Sequence, residues 1–429
     1  MKIGLEVHVA IPTKSKLFCA CSTSADEPNS SICPICMGFP GSKPMLNKAA
    51  IEYALSVSAA LHCKTGKATS FVRKVYFYPD LPKSYQITQL QDAIGFGGYV
   101  ELEKKKIGIR RIQLEEDPAK IIREDNYTLI DFNRSGVPLL EIVTEPDIAS
   151  QDELREFVNE LRSILYYLGF DIEREIKADL NISVADARVE VKNVNGIRNL
   201  VDAAQHEIRR QEDLHSKKQK IVAETRSYNE KTLRTESSRE KESDEEYGFI
   251  YEPDLTVYQI KPKKLAKPIY AGIIARELAG GTGQLKKTVL DLIQFDSRAL
   301  ELFEHARGKW PLQSIINVVE VLNKYGAKDI GMAHFEKLLD VARAGTPISK
   351  QVLEQVKKGV KVEISEVSSA EVDREIKEII RKNSHLLKEY EKNPKVFNFI
   401  VGDVAKKLKA NPKEVSERLR GILEKGFKG

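Results

Sequence analysis

The first strand-like run of the chain sorts its residues by face. In Gly4-Leu5-Glu6-Val7-His8, Leu5 and Val7 alternate with Glu6 and His8, so the spacing predicts a strand with one apolar and one polar side. The period then changes. From Lys48 to Cys63 apolar residues return at helical spacing (Ala50, Ile51, Ala54, Leu55, Ala59, Leu61), which predicts an amphipathic helix with Cys63 in the core. Val72 to Tyr78 alternates again and stops at Pro79, and Gly98–Ile122 holds two or three strands. Tyr127–Ile142 supplies two more, joined by the turn Asn133-Arg134-Ser135-Gly136. Gln151–Leu168 is a strong amphipathic helix; two strands, Glu175–Val184 and Arg188–Val191, and a helix over Gly196–Asp213 follow it. Strand runs turned by short loops, with a few helices laid against them, predict an α+β domain with a mostly antiparallel sheet.

Beyond residue 213 the pattern thins. Glu224–Tyr247 is polar and charged with no apolar period, and reads either as a disordered linker or as an ordered loop lining a site. From about Lys263 nearly everything has helical spacing, with turn signals at Gly280-Gly281, Gly326, Gly345-Thr346-Pro347, Asn393-Pro394 and Asn411-Pro412. Boundaries near 262 and 370 divide the chain into three expected domains, 1–262, 263–370 and 371–429. A length of 429 residues suits two or three domains.

Charge changes this picture only at one end. Residues 371–429 carry 15 Lys/Arg against 10 Asp/Glu, whereas the rest of the chain balances to zero, so the net +5 sits in the last domain. That excess offers a place for an anionic partner; the competing reading is a solvated helical surface. Hydrophobic residues make up 41% and no apolar run is long enough to span a bilayer. The chain starts in its first strand, Met1-Lys2-Ile3, which leaves no room for a signal peptide, and the expected location is the cytoplasm.

Four of the five cysteines, Cys19, Cys21, Cys33 and Cys36, fall within eighteen residues as C-x-C and C-x-x-C. Thiolates so spaced converge on a tetrahedral Zn²⁺ at about 2.3 Å, and a closed set of four is structural. Disulfides or small buried hydrophobes are the alternatives, the first disfavoured in a cytosolic chain. Several enzyme classes are excluded. Gly280-Gly281-Thr282-Gly283-Gln284-Leu285-Lys286-Lys287-Thr288 fails the phosphate-loop spacing, and neither a dinucleotide fingerprint nor a nucleophile elbow occurs. What remains is a set of carboxylates on strands: Glu6 beside His8, Glu115-Glu116-Asp117, and Glu141 with Glu145. Carboxylates from neighbouring strands make an oxygen-rich site for Mg²⁺, although a strand glutamate is often merely solvated. Arg73, Lys74, Lys83 and Arg134 are the candidate phosphate-binding cations.

Several longer stretches then come in a telling order. They are GLEVH, the cysteine set, Arg73-Lys74-Val75-Tyr76-Phe77-Tyr78-Pro79-Asp80-Leu81-Pro82-Lys83-Ser84-Tyr85-Gln86, Leu114-Glu115-Glu116-Asp117 and Asp131-Phe132-Asn133-Arg134 running on to Pro146-Asp147. Asp179-Leu180-Asn181-Ile182-Ser183-Val184, Glu190-Val191-Lys192-Asn193, Glu252-Pro253-Asp254-Leu255 and Phe399-Ile400-Val401-Gly402-Asp403 continue it. Together they resemble the B-subunit family of the three-subunit aspartyl/glutamyl-tRNA amidotransferases over nearly the whole chain. The resemblance implies an N-terminal cradle with a glutamine-synthetase-like sheet, a helical domain and a small helical tail that binds tRNA. It implies a kinase-and-amidotransferase site where ATP phosphorylates the side-chain carboxylate of a mischarged Asp-tRNA or Glu-tRNA and ammonia displaces the phosphate. By the same resemblance a catalytic Mg²⁺ is held by His8, Glu115 and Glu141 with Glu6 close by, and the partners are a glutaminase A subunit and a small C subunit. The chain departs from the family in lacking a Gly-Lys insertion before the tail's Asn-Pro, in Gly248 where Arg is usual, and in the loose stretch after Glu224-Thr225-Arg226. It is too short for the extra domain of the two-subunit enzyme's paralogue. The alternative of a different class is a zinc-containing RNA-binding scaffold with an inactive cradle; retention of Glu6, His8, Glu115 and Glu141 argues against it.

Overall fold

Alternation in the first strand decides how the sheet is layered. In the computed structural model, β1 (Lys2–Ala10) buries Ile3, Leu5 and Val7 to 1% exposure or less, while Glu6 and His8 on its other face stay partly exposed. Burying each such aliphatic side chain contributes roughly 1.5–3 kcal/mol, so the strand's facing is strongly specified. The structure describes residues 1–172, 176–185, 187–240, 248–261, 265, 267–281, 283–360, 362, 369–382, 394–408 and 412–424. Contacts group the chain into two compact units, Met1–Ala271 and Gly272–Gly429.

The first unit holds α1 (Lys48–Ala60), β2 (Ala68–Thr69), β3 (Val72–Val75), β4 (Tyr85–Thr88), β5 (Gly95–Glu101), β6 (Lys106–Glu116), β7 (Lys120–Arg123), β8 (Thr128–Asp131) and β9 (Pro138–Thr144). After them come α2 (Gln151–Tyr167), β10 (Lys177–Ser183), β11 (Val189–Asn195), α3 (Ile197–Ser216), β12 (Glu224–Asn229), β13 (Arg234–Glu240), β14 (Gly248–Tyr251) and β15 (Tyr258–Gln259). An eleven-stranded sheet runs β13-β12-β11-β10-β1-β9-β6-β4-β3-β14, with β5 also paired to β6. Its named pairings are antiparallel except β11 with β12. A parallel pair needs a crossover, and α3 supplies it. β1 lies centrally between β9 and β10.

α1, α2 and α3 pack against one face of this sheet, and one apolar core runs through both layers. Asn47 caps α1 by accepting from Ala49 N–H. Ser150 caps α2 by accepting from Glu153 N–H, and the Glu153 carboxylate reaches back to Ala149 N–H. These are the cap residues that satisfy otherwise orphaned first-turn donors.

The second unit is helical: α4 (Ala271–Ala279), α5 (Gln284–Ile293), α6 (Ser297–Ala306), α7 (Leu312–Lys324), α8 (Met332–Arg343), α9 (Lys350–Lys357), α10 (Ser369–Lys382), α11 (Pro394–Leu408) and α12 (Pro412–Glu424). α5 to α9 pack on one another, and α10, α11 and α12 close around their own core of Val372, Ile376, Ile400, Val404, Val415 and Leu419. Among the described residues no helix is long and apolar enough to cross a membrane.

Three local expectations need correction. The strand expected over Val72–Tyr78 ends at Val75, before the Pro79-Asp80 turn. The polar stretch from Glu224 is neither linker nor loop as far as Glu240: β12 and β13 form an antiparallel ribbon on the sheet's edge, whose polar residues suit an exposed edge. Residues 241–247 of that stretch lie outside the described residues. Cys63 is half-buried against the core rather than fully within it.

Candidate active site

The face of the sheet opposite the helices collects the polar strand positions. His8 on β1 is register partner to Glu141 on β9, and Glu6 to Asp179 on β10. Glu141 in turn faces Gln113 on β6, two residues before Glu115. Because side chains on one face recur every second residue, these registers bring the polar groups of the four strands together. His8 Nε2 stands 3.8 Å from Glu115 Oε1 and 3.8 Å from Glu141 Oε2. The two carboxylates keep only 6% and 9% side-chain exposure. Glu141 accepts from Gln113 Nε2 at 3.0 Å, with Arg111 Nη2 3.7 Å from its other oxygen. Burial, then the neighbouring Glu115 charge, pushes the Glu141 carboxyl above its ordinary range. Two buried carboxylates so close hold a shared proton or attract a cation. Donor separations of 3.8 Å fall within twice an Mg–O distance of about 2.1 Å, so the donor set fits a hard divalent ion.

A second cluster lies beside it. Glu6, Asp179 and Glu190 offer ligand atoms within 4.8 Å of one another. Here the counter-charge is internal: Lys192 Nζ lies 3.1 Å from Asp179 and 3.0 Å from Glu190. Burial opposes the lysine's charge, but Asp179 and Glu190 outweigh it and raise its pKa. Asn181 Nδ2 donates to Glu6, and Asn193 N–H donates to Asp179. Burial first, then Glu141, raises the Glu6 carboxyl. The motifs containing Asp179, Glu190 and Lys192 stand out in the sequence, but their convergence follows from the β1–β10–β11 register; alternation along three separate strands is the only local signal.

A cavity of about 710 Å³ opens over this face, with His8, Glu115, Asp117 and Asp179 in its wall. Lys74, Lys120, Arg134 and Lys177 supply its positive side. Arg134 is held by Pro118 and Ala119 carbonyls at 2.9 and 2.7 Å and faces Asp117 at 3.5 Å. Burial lifts the Asp117 carboxyl to about 6 despite Arg134. Lys74 and Arg134 thus reach the cavity. Arg73 and Lys83 do not line it: they border a separate hollow of about 120 Å³. Arg73 makes two 2.8 Å bonds to the fully buried Glu252, and Lys83 Nζ bonds both Glu116 oxygens at 2.5 and 2.6 Å. Lys120 and Lys177, at strand starts with nothing unusual around them, escape sequence reading.

The four cysteines form a second centre in the same unit. Their sulfurs all lie within 4.8 Å of one another, and Cys33 and Cys36 sulfurs are 3.9 Å apart. Zn–S bonds of about 2.3 Å imply sulfur–sulfur edges of about 3.8 Å, so the donor set fits zinc. Cys33 N–H donates to Cys36 Sγ at 3.2 Å. The Cys19 hydrogen bond, aided by Cys33 and Lys16, holds the Cys36 thiol down at about 4. The loop between the cysteine pairs grips the β8–β9 turn: Asn29 N–H donates to Asp131, Phe132 N–H to Asn29, and Ser31 N–H to Asn133.

Comparison with known proteins bears on all of this. Residues 1–266 match the model of the GatB/GatE catalytic domain, and residues 317–423 match a GatB domain. The B subunit of the aspartyl/glutamyl-tRNA(Asn/Gln) amidotransferase of Methanoregula boonei is 37% identical, over 99% of this chain and 98% of its own. The like-named protein of Persephonella marina is 36% identical over 98% and 99%, and that of Sulfolobus acidocaldarius 35% identical over 99% of each.

Proposed function

The chain belongs to the GatB/GatE catalytic-domain family, and from that membership we propose that it is the B subunit of an aspartyl/glutamyl-tRNA(Asn/Gln) amidotransferase. It takes part in converting misacylated Asp-tRNA(Asn) or Glu-tRNA(Gln) into Asn-tRNA or Gln-tRNA, a ligase reaction forming a C–N bond. A carboxylate is a poor electrophile. Attack of the aminoacyl carboxylate oxygen on the γ-phosphorus of ATP releases ADP and leaves an acyl phosphate; ammonia then adds to the carbonyl and inorganic phosphate departs. Phosphoryl transfer of this kind depends mainly on positioning and charge neutralisation.

The sheet's polar face is suited to that task, and its form supports reading it as glutamine-synthetase-like. His8, Glu115 and Glu141 would hold Mg²⁺, with Glu6 beside them. The ion, when bound, neutralises phosphate oxygens. Lys74, Arg134, Lys120 and Lys177 line the cavity's positive side and bind the triphosphate or the tRNA 3′ end. Arg73 and Lys83, engaged with Glu252 and Glu116, brace the wall behind it. The four cysteines hold one structural Zn²⁺. Residues 1–262 form the catalytic cradle, 263–370 a helical connector and 371–429 a tRNA-binding tail. Ammonia comes from a glutaminase A subunit, accompanied by a small C subunit, in the cytoplasm.

The observation that carries this reading is the meeting of His8, Glu115 and Glu141, the first two of which line the cavity. Its test uses Glu115→Gln and Glu141→Gln in the complex reconstituted with the A and C subunits. Both variants should lose tRNA-dependent ATP cleavage and ammonia-dependent transamidation by more than about 100-fold, beyond the 10–100-fold typical of outer-shell partners. Glutamine hydrolysis should persist. Near-normal ammonia-dependent transamidation in either variant would place the metal elsewhere.

A further inference from the structure

Lys16 is among the largest side chains of this protein to be fully buried, at 0% exposure. Among the described residues no carboxylate lies within ion-pair distance of it, although its charge is among the causes that lower the Asp131 carboxyl. Its ammonium has two partners: Cys36 Sγ at 3.7 Å and the carbonyl oxygen of Phe132 at 3.2 Å. A buried ammonium costs several kcal/mol unless an anion and hydrogen bonds compensate it. The anion it faces here is the Cys36 thiolate of the four-cysteine centre, which with Zn²⁺ would carry two net negative charges. The backbone is arranged around the same contact. Lys16 N–H donates to Cys21 O and Leu17 N–H to Gly136 O. Gly136, at φ +86°, lets its chain pass 3.5 Å from the Lys16 stem and 3.7 Å from Cys36 Cβ, measured to where a side chain would begin.

We infer that Lys16 is a positioning residue that joins the cysteine centre to the turn over residues 131–136, supplying the centre's counter-charge with one hydrogen bond and holding the turn with another. The turn presents Asn133 and Arg134 to the cavity. Loss of the Lys16 bond at either end therefore loosens the other. The ammonium also draws electron density from the Cys36 thiolate, and a thiolate so stabilised is intrinsically the weaker nucleophile towards electrophiles. This inference rests on the reading of the four cysteines as a zinc centre and adds what tunes it and what it controls.

The experiment compares wild type, Lys16→Met and Lys16→Arg as full-length protein. Zinc content is measured first, then zinc affinity by chelator competition, the rate of zinc release by a thiol-modifying disulfide, and hydrogen exchange at saturating zinc. Lys16→Met should weaken zinc binding by about 10–100-fold, the usual effect of an outer-shell partner. It should release zinc faster, and expose the amides of 130–136 to exchange although zinc remains bound. Lys16→Arg, which keeps charge and donor, should recover most of each. Should Lys16→Met not fold, the wild-type protein stripped of zinc by chelator must still lose protection over 130–136; unchanged protection there overturns the inference. So does a folded Lys16→Met with wild-type zinc affinity, release rate and exchange. Wild-type protein that binds no zinc overturns this inference and the zinc reading together, whereas zinc-loaded protein indifferent to residue 16 overturns this one alone.

Discussion

At the scale of single residues, Glu252 is a buried charge whose partner is built in. Glu252 has no exposed side chain, and it is met by two 2.8 Å bonds from Arg73 and one from Asp254 N–H. The same pairing raises the Arg73 pKa, with burial working against it. Breaking one partner of such a pair leaves the other as a naked charge, which costs about 3–5 kcal/mol. Arg73→Met should therefore lower unfolding free energy by that amount in urea titration. A loss under about 1 kcal/mol, the size of an exposed pair, would mean that water replaces the arginine. The sequence shows Arg73 as a cation next to other cations, and phosphate binding is the natural reading of that cluster. Its actual engagement depends on Glu252, which lies 179 residues away in the chain and in no local pattern.

At the scale of elements, close approach rather than periodicity sets the seam between α1 and β5. A side chain at Gly98 would begin within 2.5 Å of Cys63 Sγ and closer still to Leu61 O, which is held in place as the acceptor of Tyr99 N–H at 2.8 Å. Gly98→Ala forces backbone to move and should destabilise by about 1–3 kcal/mol; a urea midpoint equal to wild type would show the seam to be slack. No alternation pattern distinguishes this glycine from the one before it. By contrast, β1, α1, α2 and α3 are legible because each commits a whole face to the core, as Leu5 and Val7 do opposite Glu6 and His8. β12 and β13 were illegible for the converse reason. As an edge ribbon they owe their strand form to pairing, β12 with β11 and β13 with β12, and Arg226 and Glu224 there hydrogen-bond one another. The candidate site was legible in its residue types and not in its grouping: Glu115 and Glu141 meet His8 only through register across three strands.

At the scale of the whole molecule, residues 371–429 carry the positive excess and contain three helices with an apolar core of their own. Arg418–Asp373 at 2.9 Å and Lys407–Glu375 link those helices to one another. Removing 371–429 should raise the KM for charged tRNA and flatten its dependence on salt, each lost phosphate contact reducing the log–log slope by about 0.7–0.9. Zinc content should be unchanged. A truncated protein with wild-type KM at physiological salt would take the tRNA role away from this segment. The central place of β1 has a consequence of another kind. The strand is made well before its neighbours β9 and β10, which end at Thr144 and Ser183. At 5–20 residues per second, roughly 9–35 seconds of synthesis separate β1 from its second neighbour. During that interval Leu5 and Val7 have no sheet to join, so the nascent chain is most open to chaperones and to aggregation while the strand that carries Glu6 and His8 waits for its partners.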